Sequence, residues 1–360
     1  MNKEIISTKQ GIFLVIILIL GTSLTLTGGG KAQQDMWISI LLAILAAIPF
    51  AFIHGKILSF FPNKNLYEIL EIAFGKIIGK VISILYILYF IYLASLCIRN
   101  ITEFIQVVSF PETPQIFSAL WIIILTIYMI KSGIEVFARW TNSMIVFLFF
   151  LIFLITSSSF AKFNFENIKP ILYNGWKPVF QSAFTSFTFP FGEIVVFLSF
   201  FHNLKEQNKV TKTFLMGLFI GGAMLLMTAL RNMFLLGFPN LENTYFPTYY
   251  ANTLLSIGGF IQRVEITSAI ILVLSGFAKI CIYSFAVCIG VNQLFNQSKY
   301  DTFAIPINLI TMILSIVIYK NTMEMIEGVE IYKYIALPFQ VILPPIILIF
   351  AYNKRARSKT

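Results

Sequence analysis

Residues 189–193 read FPFGE and lie in the middle of the apolar run 178–202. Pro190 removes a backbone donor and clashes with the preceding helical turn, and Gly192 weakens a helix by about 1 kcal/mol relative to Ala. A helix that crosses a membrane here is therefore expected to unwind near its centre. The apolar run 11–30 carries Gly21-Thr22-Ser23 at the equivalent place. It is expected to unwind there as well.

Apolar runs of this kind recur along the whole chain. A helix that spans a bilayer needs roughly 20 predominantly apolar residues. Ten runs approach or exceed that length, namely 11–30, 36–53, 81–98, 115–130, 140–161, 178–202, 213–238, 266–297, 302–319 and 334–352. Numbered as spans one to ten, they predict ten transmembrane helices, and the two interrupted runs are spans one and six.

The composition excludes a soluble globular protein. The chain is 58% hydrophobic and only 12% charged, whereas a soluble domain carries about 25% charged residues. So few charges cannot cover a surface that faces water. The sequence therefore predicts an all-α integral membrane protein in which residues 1–360 form a single transmembrane domain.

The net charge of +10 follows the loops and does not indicate a nucleic-acid partner. If the N-terminus is cytoplasmic, sixteen of the 26 Lys and Arg residues lie in inner segments and eight in outer ones. Basic residues favour the cytoplasmic side, so both termini are predicted to be cytoplasmic. Lys162, Lys169 and Lys177, between spans five and six, go against the rule.

The two breaks occupy matching places in the chain. Spans one and six are the first members of two five-span halves, about 11–161 and 178–353. Breaks at corresponding positions of two halves point to a secondary-transporter fold with a binding site at mid-membrane. The alternative is that each break is only a kink, because Pro-kinked helices without a site are common.

Short motifs distributed along the chain carry a resemblance to a known family. They are QDMWIS at 34–39, FP at 61–62 running to Leu66, EI at 68–69, FGK at 74–76, GK at 79–80, TP at 113–114, GIEV at 133–136 with Arg139, FPFGE at 189–193 and ILPP at 342–345 before a basic tail. In their order and spacing the chain resembles the endospore germination permeases. These are the B-type subunits of spore nutrient-germinant receptors, in the amino acid–polyamine–organocation superfamily.

The resemblance covers essentially the whole chain and has implications for fold and partners. It implies a LeuT-like arrangement of ten helices as two inverted five-helix repeats. It also implies action together with an A-type membrane subunit and a C-type lipoprotein in the inner membrane of a dormant spore.

The unwound stretches predict the chemistry of the ligand. Their free backbone groups cannot be satisfied by lipid, so they must line a cavity or meet a ligand. The outer half of span one begins near Thr22 and Ser23 with its positive dipole end, which suits a carboxylate. The outer half of span six ends near Phe189 with free carbonyls, which suit an ammonium group. A small zwitterion such as an amino acid fits both ends, while Phe189 and Phe191 form apolar walls or simply pack.

Two charged residues lie at membrane depth in spans six and eight. Glu193 either caps the inner half of span six or pairs with a ligand amine or with Lys279. Lys279 lies too deep in span eight for its ammonium to reach water. It is predicted to supply a fixed cation near Gly21, at a place comparable to the sodium site that helices one and eight share in related transporters. A buried ion pair with Glu193 is the alternative.

Three further features complete the set of expectations. Tyr89 lies on a face of span three along which tyrosine recurs every three residues. It either contacts the ligand or belongs to a packing stripe. Arg231, towards the outer end of span seven, is expected to snorkel to the surface rather than to bind a ligand. The acidic connection 320–333 is expected to be a solvated loop or a short surface helix.

The predicted ligand-binding set is Gly21, Thr22, Ser23, Tyr89, Phe189, Pro190, Phe191, Gly192, Glu193 and Lys279. No catalytic, metal or cofactor motif accompanies it, since His54 and His202 each stand alone. Three functions fit: a germinant-receptor subunit that binds a nutrient amino acid, a proton- or sodium-coupled amino-acid transporter, and a scaffold for partner subunits with a vestigial site. Local physics does not separate the first two, and the resemblance favours the receptor.

Overall fold

The computed structural model describes residues 4–26, 30–255, 263–297 and 299–357, which are mostly helical. The helices up to residue 159 are α1 (Thr8–Leu20), α2 (Ser23–Leu26), α3 (Met36–Phe60), α4 (Leu66–Phe74), α5 (Lys76–Val108), α6 (Gln115–Ser132) and α7 (Ile134–Ser159). The later helices are α8 (Trp176–Thr188), α9 (Val210–Leu236), α10 (Phe238–Glu242), α11 (Pro247–Thr253), α12 (Glu265–Phe295), α13 (Ala304–Val317), α14 (Thr322–Leu337) and α15 (Leu343–Arg357). A 3-10 segment, Phe191–Ser199, follows α8.

The ten predicted spans all contain helix. Within the described residues, nine helices are long and apolar enough to cross a membrane, and α1 is a shorter apolar helix beside them. Span one is formed by α1 and α2, and span six is formed by α8 and the 3-10 segment. The prediction of an all-α integral membrane protein with broken first and sixth spans is confirmed.

Large apolar side chains cover the outside of the helix bundle. On α7, for example, Phe147, Phe150 and Phe153 have 45%, 58% and 70% of their surface exposed. A soluble protein rarely exposes apolar patches of this size. Lipid is the solvent that such a surface requires.

Span one lies at the centre of the bundle. Each side chain from Leu14 to Leu20 is fully buried, as expected for a helix that is apolar on all sides. Close packing by α9 is possible because it presents glycine to α1: a Cβ at Gly217 would lie 2.4 Å from the Cβ of Val15. The break that follows Leu20 therefore lies inside the protein.

Residues 4–8, called the N-terminal segment below, hold the start of α1 against three connections. The Ile6 N–H donates to the carbonyl of Asn203 and the Ile6 carbonyl accepts from the N–H of Lys205, each at 2.9 Å. The Glu4 carboxylate accepts from the Tyr300 hydroxyl at 2.9 Å and from the first N–H of α7 at 3.3 Å. The connections after spans four, six and eight therefore meet the N-terminus at one end of the bundle.

Span ten is longer than predicted. The connection 320–333 is helical from Thr322 onwards, because the Asn321 side chain accepts the Glu324 N–H at 2.9 Å and so caps α14. A π-helical turn over Pro338–Ile342 then leads into α15. The expectation of a solvated loop was wrong, and the extra helix places Tyr332 inside the bundle with 3% of its surface exposed.

Candidate functional site

The break in span one is closed by a side chain of span eight. Gly21 has φ +20° and ψ −127°, a conformation that side chains disfavour. Its N–H still donates to the Ile17 carbonyl at 2.8 Å, and its own carbonyl accepts from the Ser275 hydroxyl at 2.8 Å. Thr22 and Ser23 are buried beside it. The backbone is thus unwound, but a hydroxyl from α12 meets its carbonyl.

The break in span six is closed in the same way by span ten. After α8 ends at Thr188, Phe189 is extended with φ −136° and ψ 108°. The Thr188 carbonyl accepts from Nε2 of Gln340 at 3.0 Å, and the Tyr332 hydroxyl lies 3.2 Å from it. The expectation of free carbonyls at this end was therefore wrong for Thr188, because the Gln340 amide already donates to it.

A buried ion pair joins the two breaks. The Nζ of Lys279 lies 2.6 Å from Oε2 of Glu193, and these side chains are 0% and 1% exposed. The same ammonium lies 4.4 Å from the ring centroid of Phe189. The Lys279 stem fills the space over Gly21, where a Cβ would come within 2.4 Å of Cδ. Lys279 thus contacts span one and span six at once, so the ion pair and the position near Gly21 occur together.

Polar groups of spans three and ten surround the other side of Glu193. The Tyr332 hydroxyl donates to Oε1 of Glu193 at 2.9 Å. Nε2 of Gln340 donates to the Tyr89 hydroxyl at 2.8 Å, and the Tyr89 and Tyr332 hydroxyls are 3.3 Å apart. The ring of Phe339 stacks on that of Tyr89 with centroids 4.3 Å apart. Tyr89 therefore reaches the carboxylate through side chains of span ten.

Each break also holds a buried polar atom that has no hydrogen-bond partner in the described part of the chain. These atoms are the Oγ of Ser23 and the Oε1 of Gln340. The Gln340 oxygen fills the place of a side chain at Gly192, where a Cβ would lie 2.2 Å away. Buried polar atoms are almost always paired in native structures, so these two provide hydrogen-bonding capacity for a ligand or for water.

The predicted residues do not all lie at this centre. Lys279 contacts Gly21, Phe189 and Glu193. The chain neighbours of these residues include Thr22, Ser23, Pro190 and Gly192. The ring of Phe191 instead packs toward span seven, 3.4 Å from the Cβ position of Gly222. The part that each residue plays in binding stays a prediction.

Sequence reasoning missed Ser275, Tyr332, Phe339 and Gln340. Gln340 had a signal, because it is the one amide in the apolar run 334–352. Tyr332 had none, because it lies in a segment expected to be a loop. Among the described residues, no group of three His, Cys, Asp or Glu side chains is placed to hold a metal ion.

The arrangement of helices matches solved transporters. MhsT in complex with L-phenylalanine superposes with a TM-score of 0.73 at 12% sequence identity, covering 98% of this chain and 89% of MhsT. Mhp1, a nucleobase-cation-symport-1 family transporter in a closed conformation with bromovinylhydantoin bound, gives a TM-score of 0.68 at 10% identity, covering 96% and 78%. At these identities the likeness shows the fold alone, and it confirms the predicted LeuT-like fold.

The proteins that this chain resembles in sequence are spore germination proteins. The family model for spore germination proteins matches residues 5–325. Spore germination protein KB of Bacillus subtilis is 31% identical over an alignment of 369 positions, which covers 100% of this chain and 98% of the relative. The putative spore germination protein YfkT of the same organism is 24% identical, covering 97% and 96%. The chain therefore belongs to the spore germination protein family.

Proposed function

We propose that this chain is the membrane subunit of a germinant receptor that binds a small zwitterionic nutrient, an amino acid, between the breaks of spans one and six. The observation that carries the proposal is the buried Lys279–Glu193 ion pair. It touches both breaks, and it presents the two charged groups that an amino acid also has.

The ion pair selects the class of ligand through charge balance. A charge left unpaired at membrane depth is costly. If an amino acid enters, its carboxylate can take the place of Glu193 at the Lys279 ammonium, and its ammonium can take the place of Lys279 at Glu193. Both protein charges then keep a partner. A ligand with one charge, or with none, separates the pair without replacing both halves.

The exchange explains how binding can change the conformation. Lys279 leaves the space over Gly21, and Glu193 is drawn away from the Tyr332 hydroxyl. These contacts fasten spans one, six, eight and ten to each other in the present arrangement. A ligand shifts a conformational equilibrium only through unequal affinity for the two states, and replacement of the pair supplies that inequality.

Partners and membrane are proposed on the family and on the charge distribution. We place the chain in the inner membrane of the spore, with both termini cytoplasmic, beside an A-type membrane subunit and a C-type lipoprotein. The inner connections predicted to be rich in Lys and Arg include 131–139 and 203–212, and contacts of the N-terminal segment hold both at the same end of the bundle. This common placement agrees with the positive-inside orientation.

An amino-acid transporter is the second candidate, because the fold is shared with MhsT, whose solved complex holds L-phenylalanine. The two functions differ in uptake. Purified protein in proteoliposomes is tested for concentrative uptake of radiolabelled L-amino acids under a proton or sodium gradient. We expect binding without accumulation. Accumulation against a gradient would replace the receptor by the transporter.

Germination of spores tests the receptor directly. Spores that carry the wild-type gene or the Lys279→Met variant are exposed to single L-amino acids, and the loss of refractility is followed. We expect an amino acid to trigger wild-type spores and to fail with Lys279→Met at equal protein abundance. Lys169→Met, which removes an exposed lysine paired with Glu166, is the matched control and should respond normally. A normal response of Lys279→Met refutes the proposed site.

A further inference from the structure

Four Lys or Arg side chains are buried in the described part of the chain, and they differ in their partners. Three of them pair with a carboxylate: Arg99 with Glu103, Lys279 with Glu193, and Lys333 with Glu330. The fourth is Arg231, which is 2% exposed and forms no ion pair. All sixteen acidic residues lie at described positions, so no Asp or Glu side chain outside the described residues can be its partner.

This burial corrects the expectation that Arg231 snorkels. Its guanidinium is inside the protein near the outer end of α9, where it donates to Oδ1 of Asn232 at 2.9 Å. Its Nε has no hydrogen-bond partner among the described residues. A buried charge without a counter-charge is strongly unfavourable, and one neutral amide does not supply that counter-charge.

The surroundings of Arg231 are polar and include a second unpaired atom. Nδ2 of Asn232 donates to the Thr248 hydroxyl of α11 at 2.8 Å. That hydroxyl in turn donates to the Leu24 carbonyl in the outer half of span one. In the same cluster Asn252 donates to Ser268 through Nδ2, while no described residue donates to its Oδ1. The guanidinium is thus connected to α2 through two side chains.

We propose that Arg231 is the centre of an anion-binding site at the outer end of span seven. A guanidinium offers five donors in a planar fork that matches a carboxylate and also binds a halide. The ligand is therefore a small monovalent anion, either a carboxylate group or chloride. The site is distinct from the Lys279–Glu193 pair, and it stands whether or not that pair binds an amino acid.

The space in this cluster limits the size of the anion. A cavity of about 10 Å³ lies one turn before Arg231, which does not itself line it. Its lining residues are Leu24, Ile152, Ile155, Thr228, Thr248, Ser268 and Ile271. That volume is about that of one water molecule. Chloride and a carboxylate group are both larger than water, so either requires the outer end of the bundle to open, and a bulkier anion requires it to open further.

Anion-dependent thermal stability of the full-length protein tests the site. The unfolding temperature is measured in nanodiscs against increasing sodium chloride or sodium acetate, with the bulkier methanesulfonate holding the ionic strength constant. Because an anion that binds only the folded state stabilises it, we expect the unfolding temperature of the wild type to rise saturably. A response to chloride identifies a halide site, a response to acetate identifies a carboxylate site, and either supports the proposal.

Two variants separate Arg231 from general salt effects. In Arg231→Met the midpoint of the anion response should shift to at least about tenfold higher concentration, because a charged hydrogen-bond donor is lost. Arg263→Met removes an arginine whose side chain is 75% exposed and should respond like the wild type. If Arg231→Met does not fold, Arg231→Lys, which keeps the charge and loses the fork, should bind more weakly. A wild-type unfolding temperature that stays constant when chloride or acetate replaces methanesulfonate, or an Arg231→Met variant with an unchanged midpoint, overturns the proposal.

Discussion

The Lys279 ammonium and the Glu193 carboxylate lie 2.6 Å apart, with both side chains withdrawn from solvent. The two residues belong to spans eight and six, and the lysine stem also lies against the break of span one. A single ion pair thus connects the two interrupted spans.

Removal of one charge of the Lys279–Glu193 pair should lower the free energy of unfolding more than removal of both charges. Lys279→Met leaves the Glu193 carboxylate buried without its partner, so we expect the free energy of unfolding to fall by about 3–5 kcal/mol. The double variant Lys279→Met/Glu193→Gln should recover most of the lost stability. Spores that carry either variant should nevertheless fail to germinate with the nutrient. Unfolding in mixed micelles and a germination assay measure the two effects. A double variant as unstable as the single one would refute the charge-pair explanation.

Added bulk at the first break should displace Lys279. In Gly21→Ala the new Cβ would lie 2.4 Å from the lysine Cδ, on a backbone with φ +20°, so we expect the nutrient response to be lost. Gly175→Ala is the control, because Gly175 has φ +73° and no neighbour within 4 Å of its Cβ position. Backbone strain there should cost about 1–2 kcal/mol and leave the response intact. An equal loss of response in both variants would assign the effect to general instability.

The hydroxyl of Tyr332 should matter more than that of a neighbour on the same helix. Tyr332→Phe removes the hydroxyl that donates to Oε1 of Glu193 at 2.9 Å. Loss of a hydrogen bond to a charged group costs about 1.5–3 kcal/mol. Tyr334→Phe removes a hydroxyl from a residue that is 64% exposed and should be neutral. Thermal unfolding of the two purified variants compares them, and equal unfolding temperatures would contradict the assigned contact.

The N-terminal segment should loosen as the pH rises. Burial raises the pKa of Glu4 above its ordinary value of 4.5, although the Tyr300 hydroxyl partly opposes the shift. A raised pKa in the folded state means that the stabilisation is complete below 4.5 and is lost as the pH rises through the folded pKa. We expect hydrogen exchange at the Ile6 N–H to become faster relative to Glu4→Gln over that range. A constant ratio between the two proteins would contradict the prediction.

Local sequence rules located the two breaks but could not locate all that surrounds them. Proline and glycine act on their own turn, so the unwinding near Gly21 and Pro190 follows from nearby residues. Whether Lys279 reaches Glu193 depends on the packing of helices that are far apart in the chain, and the sequence left two alternatives. The limits of the two repeats, about 11–161 and 178–353, stay a prediction.

The helix dipole at the carboxylate end of the proposed site is weaker than the sequence indicated. The outer half of span one was expected to supply a helix N-terminus there. The helix α2 has only four residues, Ser23–Leu26, and residues 27–29 lie outside the described part of the chain. A helix this short has little dipole. The Lys279 ammonium is therefore the stronger partner for a ligand carboxylate.

The position of the nutrient itself tests the central proposal most directly. The amino acid that germinates wild-type spores is added at saturation to the purified protein, and the structure of the complex is determined. We predict that the ligand carboxylate lies within hydrogen-bonding distance of the Lys279 ammonium, that its ammonium does so at Glu193, and that the two side chains no longer touch. A nutrient bound elsewhere, with the Lys279–Glu193 contact intact, would contradict the proposal.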